Sequence, residues 1–382
     1  MSDTDSTGTR TGDGEDGGAT TARRADVHDA VHDLLNTAFE GWGDRAYFRF
    51  KYTDFPSYDP DEHLFLARRD GEVVGARRAF VKDLVIEGAT SRTVHVHGGA
   101  AVHPDYRRQG LFTDLVRESR DYSREHGSPV VVTFNRRGKV STAAHMERDW
   151  AYRTLPLYVR PLSPATLVEE HANTVLPRYG RDRLATVAGL VADRFFPDWG
   201  VARATELATS GTVTRPIASD GHDPPGDEAV SVRPYESADC RAVVALFDSE
   251  LRQFDLAFAR DRAHVEHMTG YDHATSAVAV NEGEVVGFAC LGVIDRGEQV
   301  EARVFDLVHA TPAAEASLLT WAEATARRRG ADAISVLRDD RPGPEWAGLR
   351  TDLVMWDRLD DESDLGDRLA NDDWRITAYD VL

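Results

Sequence analysis

The sequence predicts a mixed α/β (α+β) fold made of two mixed-sheet modules in tandem, joined by a helical connector. Three observations predict it. A meander of apolar strand patterns runs into an Arg-rich turn, then a helix pattern, then a buried strand, all before residue 162. A similar order of elements returns over residues 229–382. Between them, residues 208–228 are rich in Gly, Pro, Ser and Asp, as linkers are. A length of 382 residues suits two or three domains.

Residues 1–25 are polar and rich in Gly, Thr and Asp, with no apolar h-region, so they read as a disordered tail rather than a signal peptide. Val27, Val31, Leu34, Leu35 and Ala38 share one side of a helix ending at Phe39. An aromatic segment follows from Trp42 to Tyr58, expected to pack between helix and sheet or to wall a pocket. His63 to Arg69 is a strand, Asp70-Gly71 a hairpin turn, Val73 to Glu87 the returning strand and Gly88 the next turn. Thr93 to Val102 is the strand that feeds the Arg-rich turn. Gly98-Gly99 inside it marks a bulge or a close approach of backbone.

The turn reads Val102-His103-Pro104-Asp105-Tyr106-Arg107-Arg108-Gln109-Gly110. It opens a helix whose Leu111, Leu115 and Tyr122 form one stripe, with Phe112 and Val116 beside them. Gly127 and Pro129 end that helix, and Val130 to Phe134 reads as a buried strand. A helix N-terminus offers unpaired N–H groups and partial positive charge. Two arginines and a glycine at that point make a phosphate cradle. The Walker pattern and the three-glycine dinucleotide fingerprint are both absent.

This stretch resembles the acyl-CoA pyrophosphate loop of the GCN5-related N-acetyltransferases, the GNAT superfamily. Arg107 fills the Q/R position of its Q/R-x-x-G-x-G/A motif, Gly110 the central Gly, and Val102-x-Pro104 the strand end. Phe112 stands where Gly or Ala is usual. The resemblance covers about residues 26–162. It implies acyl-CoA, expected to be acetyl-CoA, as co-substrate, held by Ala101, Val102, Arg107, Arg108, Gln109, Gly110, Leu111 and Phe112, with Asn135 in the place of the family's fifth-strand Asn. It implies that the fourth and fifth strands splay, and that pantetheine pairs with the fourth. Ser141 to Arg148 is similar to the family's fourth helix, with His145 where many members carry a tyrosine acid.

Ser163-Pro164 caps a helix, and Leu184, Val187, Leu190 and Val191 stripe another, so residues 163–228 read as connector and linker. In residues 229–382, Val232 to Tyr235, Ala277 to Val280, Val285 to Val293, Val304 to Val308 and Ala333 to Leu337 read as strands. Ala238 to Phe254 and Pro312 to Arg329 read as helices. Glu284-Val285-Val286-Gly287 repeats Glu72-Val73-Val74-Gly75 at the corresponding turn. The turn before Pro312 has neither Arg nor Gly, so this module is expected to be degenerate and to bind no CoA. One intact and one degenerate module resembles the enhanced-intracellular-survival acetyltransferases, without their third domain.

The resemblance implies direct transfer of an acyl group, expected to be acetyl, from CoA to a primary amine on a small molecule or peptide. The alternatives are a GNAT-fold sensor that holds acyl-CoA without turnover and, third, aminoacyl transfer from tRNA. His95 and His97 alternate with Val94 and Val96 and so share a face that meets either the helix or the cleft. They are the candidate bases, and His145 the candidate acid. No metal-ligand spacing stands out, since His264 and His267 lack a third partner. Cys240 and Cys290 are too few for a disulfide framework, and no run of 18 apolar residues exists, so a cytoplasmic protein without a membrane partner is expected. Net charge is −20, and only Lys51, Lys82 and Lys139 of the 45 basic residues are lysines. That balance suits high internal salt, where a Debye length of about 3 Å at 1 M screens self-repulsion, and it argues against nucleic acid.

Overall fold

The computed structural model of the chain describes residues 17–39, 42–162, 230–295, 300–338, 341–343 and 346–381. The expected connector and linker at 163–228, and residues 1–16 of the expected tail, lie outside them. The first helix, α1 (Gly17–Phe39), starts upstream of the tail boundary at residue 25. Ala19, Ala22, Arg23, Arg24 and Ala25 are strong helix formers, and the polar composition of the stretch concealed this. Val31, Leu34 and Leu35 pack against Phe48, Tyr52 and Ala76.

The aromatic segment folds as α2 (Arg45–Phe48), capped by the Asp44 side chain, which accepts from the Tyr47 N–H. It runs straight into a five-residue π-helix, Arg49–Thr53. Tyr47, Phe48, Phe50, Tyr52 and Phe55 are all buried. After α3 (Pro60–His63) comes the antiparallel meander β1 (Leu64–Arg69), β2 (Glu72–Ile86) and β3 (Thr90–Val102). Its two turns place Asp70-Gly71 and Glu87-Gly88 at positive φ. Then follow α4 (Leu111–Glu125), β4 (Val130–Arg136), α5 (Val140–Met146) and β5 (Ala151–Pro161).

The second half runs β6 (Ser231–Pro234), α6 (Cys240–Leu251), β7 (Leu256–Phe258), α7 (Arg262–Thr269), β8 (Ala274–Asn281), β9 (Glu284–Asp295) and β10 (Val300–His309). It continues with α8 (Pro312–Arg328), β11 (Ala333–Leu337), β12 (Ala347–Arg358), α9 (Leu365–Asn371) and β13 (Trp374–Arg375). From β8 to β11 it repeats the order of β1 to β4: antiparallel meander, helix, then a strand parallel to the third.

The described strands form one sheet, in the order β13-β7-β2-β3-β4-β12-β5-β11-β10-β9-β8-β6, with β1 also on β2. The two halves therefore share one sheet among the described strands. Each half places its last long strand in the other's part of the sheet. β12 lies between β4 and β5, pairing Asp352–Arg358 with Val130–Arg136. β5 in turn covers β11, from Leu157 to Pro161. The edges of β4 and β11 need partners, and the exchange supplies both. Periodicity reports that a segment is a strand, not which strand will lie beside it.

A sheet shared this way should unfold as one unit. Urea titrations followed by tryptophan fluorescence, from Trp42 and Trp150 in one half and Trp321 and Trp346 in the other, should coincide with far-UV circular dichroism in one transition. Two separated transitions would contradict the exchange.

Candidate functional site

β3 and β4 are parallel, but they pair only from His95–Val131 to His97–Thr133. Beyond that the strands part, leaving Gly98–Val102 on one wall of an opening and Phe134–Arg136 on the other. The expected bulge is present, since the β2–β3 register shifts between Ala76 and Arg78, so Gly99 and Ala100 oppose Arg77 alone. Gly99 takes φ +61°. Its carbonyl accepts from the Tyr52 hydroxyl at 2.8 Å, and a Cβ there would overlap that hydroxyl. The π-helix thus presses Tyr52 into the backbone where the strands separate.

The expected cradle lies at the end of β3. Ala101 and Val102 pair with Ala76 and Gly75. A single 3₁₀ turn, Pro104–Tyr106, follows. Arg108 and Gly110 both have positive φ, 62° and 84°. Gly110 is the N-cap of α4, with no side-chain cap, and the first ladder bond runs from Asp114 N–H to Gly110 C=O. The N–H groups of Leu111, Phe112 and Thr113 precede that bond and face outward, as an anion site requires. Gln109 and Arg108 are exposed beside them, with no atom within 4 Å of where a Gly110 Cβ would sit. Arg107 is placed differently from expectation: its Nε donates to Val102 O (3.3 Å) and its Nη2 to Ala38 O (2.9 Å). It ties the turn to the C-terminus of α1, where the carbonyl end of the helix attracts a cation. Phe112 is half-buried against His145, ring centroids 5.9 Å apart. Asn135 accepts from Ser141 Oγ (3.2 Å) and donates to Met355 Sδ (3.6 Å), so it braces β4 against α5 and β12.

The histidines depart further from expectation. His95 and His97 share the face that meets α4, not the opening. Both contact Ser123 Oγ, at 2.8 and 2.9 Å, and the Ser123 hydroxyl donates to Ser119 O. Both rings therefore donate to Ser123, which leaves His97 Nδ1 to accept from Arg77 Nη2 at 3.3 Å. Burial holds His95 down to about 4, and burial together with Arg77 holds His97 well below the ordinary range. Neutral imidazoles locked beneath a helix cannot reach a substrate amine. His145 is wedged between Phe112 and Trp150, with Nδ1 unpartnered among the described residues. Burial lowers it to about 3, which favours the neutral ring. Ser119 and Ser123, polar residues on the buried stripe of α4, were the sequence signal for the side these histidines face.

The second half has the same opening, filled. β10 leaves β11 after Val304–Val336, again beside a register shift. There the C-terminal segment enters: Tyr379 N–H donates to Phe305 O (2.9 Å), and Arg375 Nη2 donates to Leu307 O (2.9 Å) and to Asp306 (2.6 Å). The start of α8 is filled as well. Thr311 caps it by accepting from Ala314 N–H, and Glu315 in its first turn pairs with Arg338 and, at 3.6 Å, with His309. α4 has no side-chain cap where α8 has Thr311; both carry a carboxylate in the first turn, Asp114 paired with Arg117 in α4 and Glu315 paired with Arg338 in α8.

Residues 21–141 match the family model described as an acetyltransferase (GNAT) domain. Solved structures share the fold across both halves. A GCN5-related N-acetyltransferase from Kribbella flavida has a TM-score of 0.50 at 15% identity, covering 88% of this chain and 69% of that one. A probable N-acyltransferase from Enterococcus faecalis gives 0.52 at 10%, covering 87% and 70%. N-myristoyltransferase from Saccharomyces cerevisiae, solved with myristoyl-CoA bound, gives 0.57 at 14%, covering 87% and 76%. A search of curated protein sequences finds no match.

Two outcomes test this geometry. Gly99→Ala should lose about 1–3 kcal/mol in urea titration, because both the positive φ and the Tyr52 hydroxyl oppose a side chain. Stability should also fall as pH drops from the ordinary histidine value near 6.5 toward 4. In that window the unfolded histidines take up protons that His95 and His145 in the fold refuse. A His145→Leu variant should show a shallower fall in melting temperature over the same window.

Proposed function

We propose that the chain is an acyl-CoA-dependent N-acyltransferase with one acyl-CoA site, in its first half, and that it moves an acetyl group to a primary amine by direct transfer. The uncapped start of α4 behind the Arg108–Gly110 turn carries this reading, because it stands at the mouth of the β3–β4 opening and its counterpart at α8 is closed. The diphosphate would lie on the N–H groups of residues 108–113, with Arg108 adding formal charge. The pantetheine would run along the free edge of β3 toward Gly98. N–H groups on that edge would polarise the thioester carbonyl. The amine attacks the carbonyl carbon, the C–S bond breaks, and the thiolate takes up the proton that the new amide loses.

Among the described residues, His95, His97 and His145 offer no basic or acidic group at the right strength. The acceptor would therefore react from its own free-base fraction. The surplus of acidic groups supports work at high salt. No described helix is long and apolar enough to cross a membrane. The buried, neutral histidines favour one second reading, an acyl-CoA sensor; release of free CoA with an amine present separates it from an enzyme.

Calorimetry should give one acetyl-CoA per chain, and Gly110→Asp, which puts a carboxylate in the cradle, should weaken binding at least tenfold. Two sites per chain, or none, would overturn the reading. The rate at limiting acceptor should rise with pH up to the pKa of the acceptor amine, without an inflection near 6.5; such an inflection would restore a histidine base.

A further inference from the structure

We propose that Arg78 and Tyr58 form an anion subsite at the acceptor end of the β3–β4 opening, which takes the carboxylate of an amino-acid-type acceptor. This rests on the acyltransferase reading above and names the substrate class it would serve.

Arg78 is fully buried, and its Nε, Nη1 and Nη2 have no hydrogen-bond partner among the described residues. Its neighbour Arg77 shows what a satisfied strand arginine looks like here: on the opposite face, it donates from Nε to Ser119 Oγ at 2.9 Å and contacts His97. Around Arg78 are rings. The guanidinium carbon lies 3.2 Å from the Phe80 centroid, 4.1 Å from Tyr52 and 5.9 Å from Tyr58. Ring faces attract the cation but accept nothing from N–H groups that point outward in the guanidinium plane. The Tyr58 hydroxyl is also buried and unpartnered among the described residues. Burial lowers Arg78 to about 9 and raises Tyr58 to about 12, so the site holds a cation and a neutral phenol.

An unpaired buried charge is costly, and the cost is relieved by one anion that bonds several donors at once. A carboxylate fits a guanidinium edge with two parallel hydrogen bonds, and the phenol supplies a third donor. The position is equally specific. Arg78 pairs in register with Gly98, the residue at which β3 leaves β4. Tyr52, whose ring lies under the guanidinium, is bonded to Gly99. A carboxylate here leaves the rest of the acceptor directed along the opening, toward where the thioester would lie. The π-helix that carries Tyr52 also lines, with Arg49, Phe50 and Asp54, a cavity of about 190 Å³ against α7. A site built to bond a carboxylate should reject the same amine without it, because its donors would again be left unpaired.

The test uses the full chain with CoA bound, at constant ionic strength set with sodium fluoride. Saturation-transfer NMR is recorded for acetate, glycine and methylamine on wild type, Arg78→Met and Tyr58→Phe. Acetate and glycine should bind wild type and methylamine should not. Binding should weaken at least tenfold in Arg78→Met and severalfold in Tyr58→Phe. Arg78→Met removes an unpaired buried charge, so its melting temperature should be unchanged or raised, and loss of binding is then not loss of fold. Equal binding to wild type and Arg78→Met, or none to wild type, overturns the proposal. Displacement of acetate by an equal concentration of chloride overturns it too, since a free halide would then be the occupant. CoA affinity, measured on the same samples by calorimetry, fails only if the acyltransferase reading itself fails.

Discussion

An opening in a β-sheet stays open only if both of its walls are held from behind. Past Thr133, β4 has no β3 beside it, yet it remains paired to β12 as far as Arg136–Asp352. On the other side, β2 holds β3 as far as Val102–Gly75. The insertion of β12 between β4 and β5 is therefore what allows the first half to carry a slot between strands without collapsing into continuous pairing. The Gly99 bulge and Tyr52 then decide where the parting begins. Everything assigned to the site, from the free edge of β3 to the bare start of α4, is arranged around that gap.

In the second half the same gap is filled by the chain itself. Its free strand edge accepts from the backbone of Tyr379 and the side chain of Arg375, and its helix start carries Thr311 and Glu315. The segment that fills it is fixed by a buried charge cluster. Arg260 bonds Asp306 (2.8 Å) and Asp380 (2.6 Å), and Arg375 bonds Asp306 and Glu250 (both 2.6 Å). Lys82 of β2 reaches in, donating to the Asp380 carbonyl at 3.1 Å. Such clusters are weak evidence for net stability, but breaking one leaves a charge stranded. The C-terminal segment thus closes one half and is bolted to the sheet of the other.

Much of this was legible in the sequence where the signal is local. The Asp70-Gly71 and Gly88 turns, the Gly98-Gly99 bulge and the Arg108–Gly110 helix start depend on a few adjacent residues and stand where expected. Strands β1 to β4 and β8 to β11 match their apolar patterns to within a few residues. What was hidden is what depends on a partner far along the chain. The exchange of β5 and β12 leaves no trace in periodicity. Alternation put His95 and His97 on one face but could not say which; Ser119 and Ser123 in the stripe of α4 held the answer. Arg77-Arg78 are two adjacent cations inside an apolar strand, and which of them lacks a partner emerges only from packing. Arg107 matched a motif position by type and turned out to brace α1.

On the proposed reading one helix start binds the CoA diphosphate and its counterpart does not. Hydrogen–deuterium exchange with and without CoA tests it most directly, because it reads the backbone N–H groups concerned. Exchange should slow in peptides spanning residues 98–102 and 108–113, with residues 305–315 unchanged. Protection at 305–315, or no protection at 108–113 under saturating CoA, would contradict it.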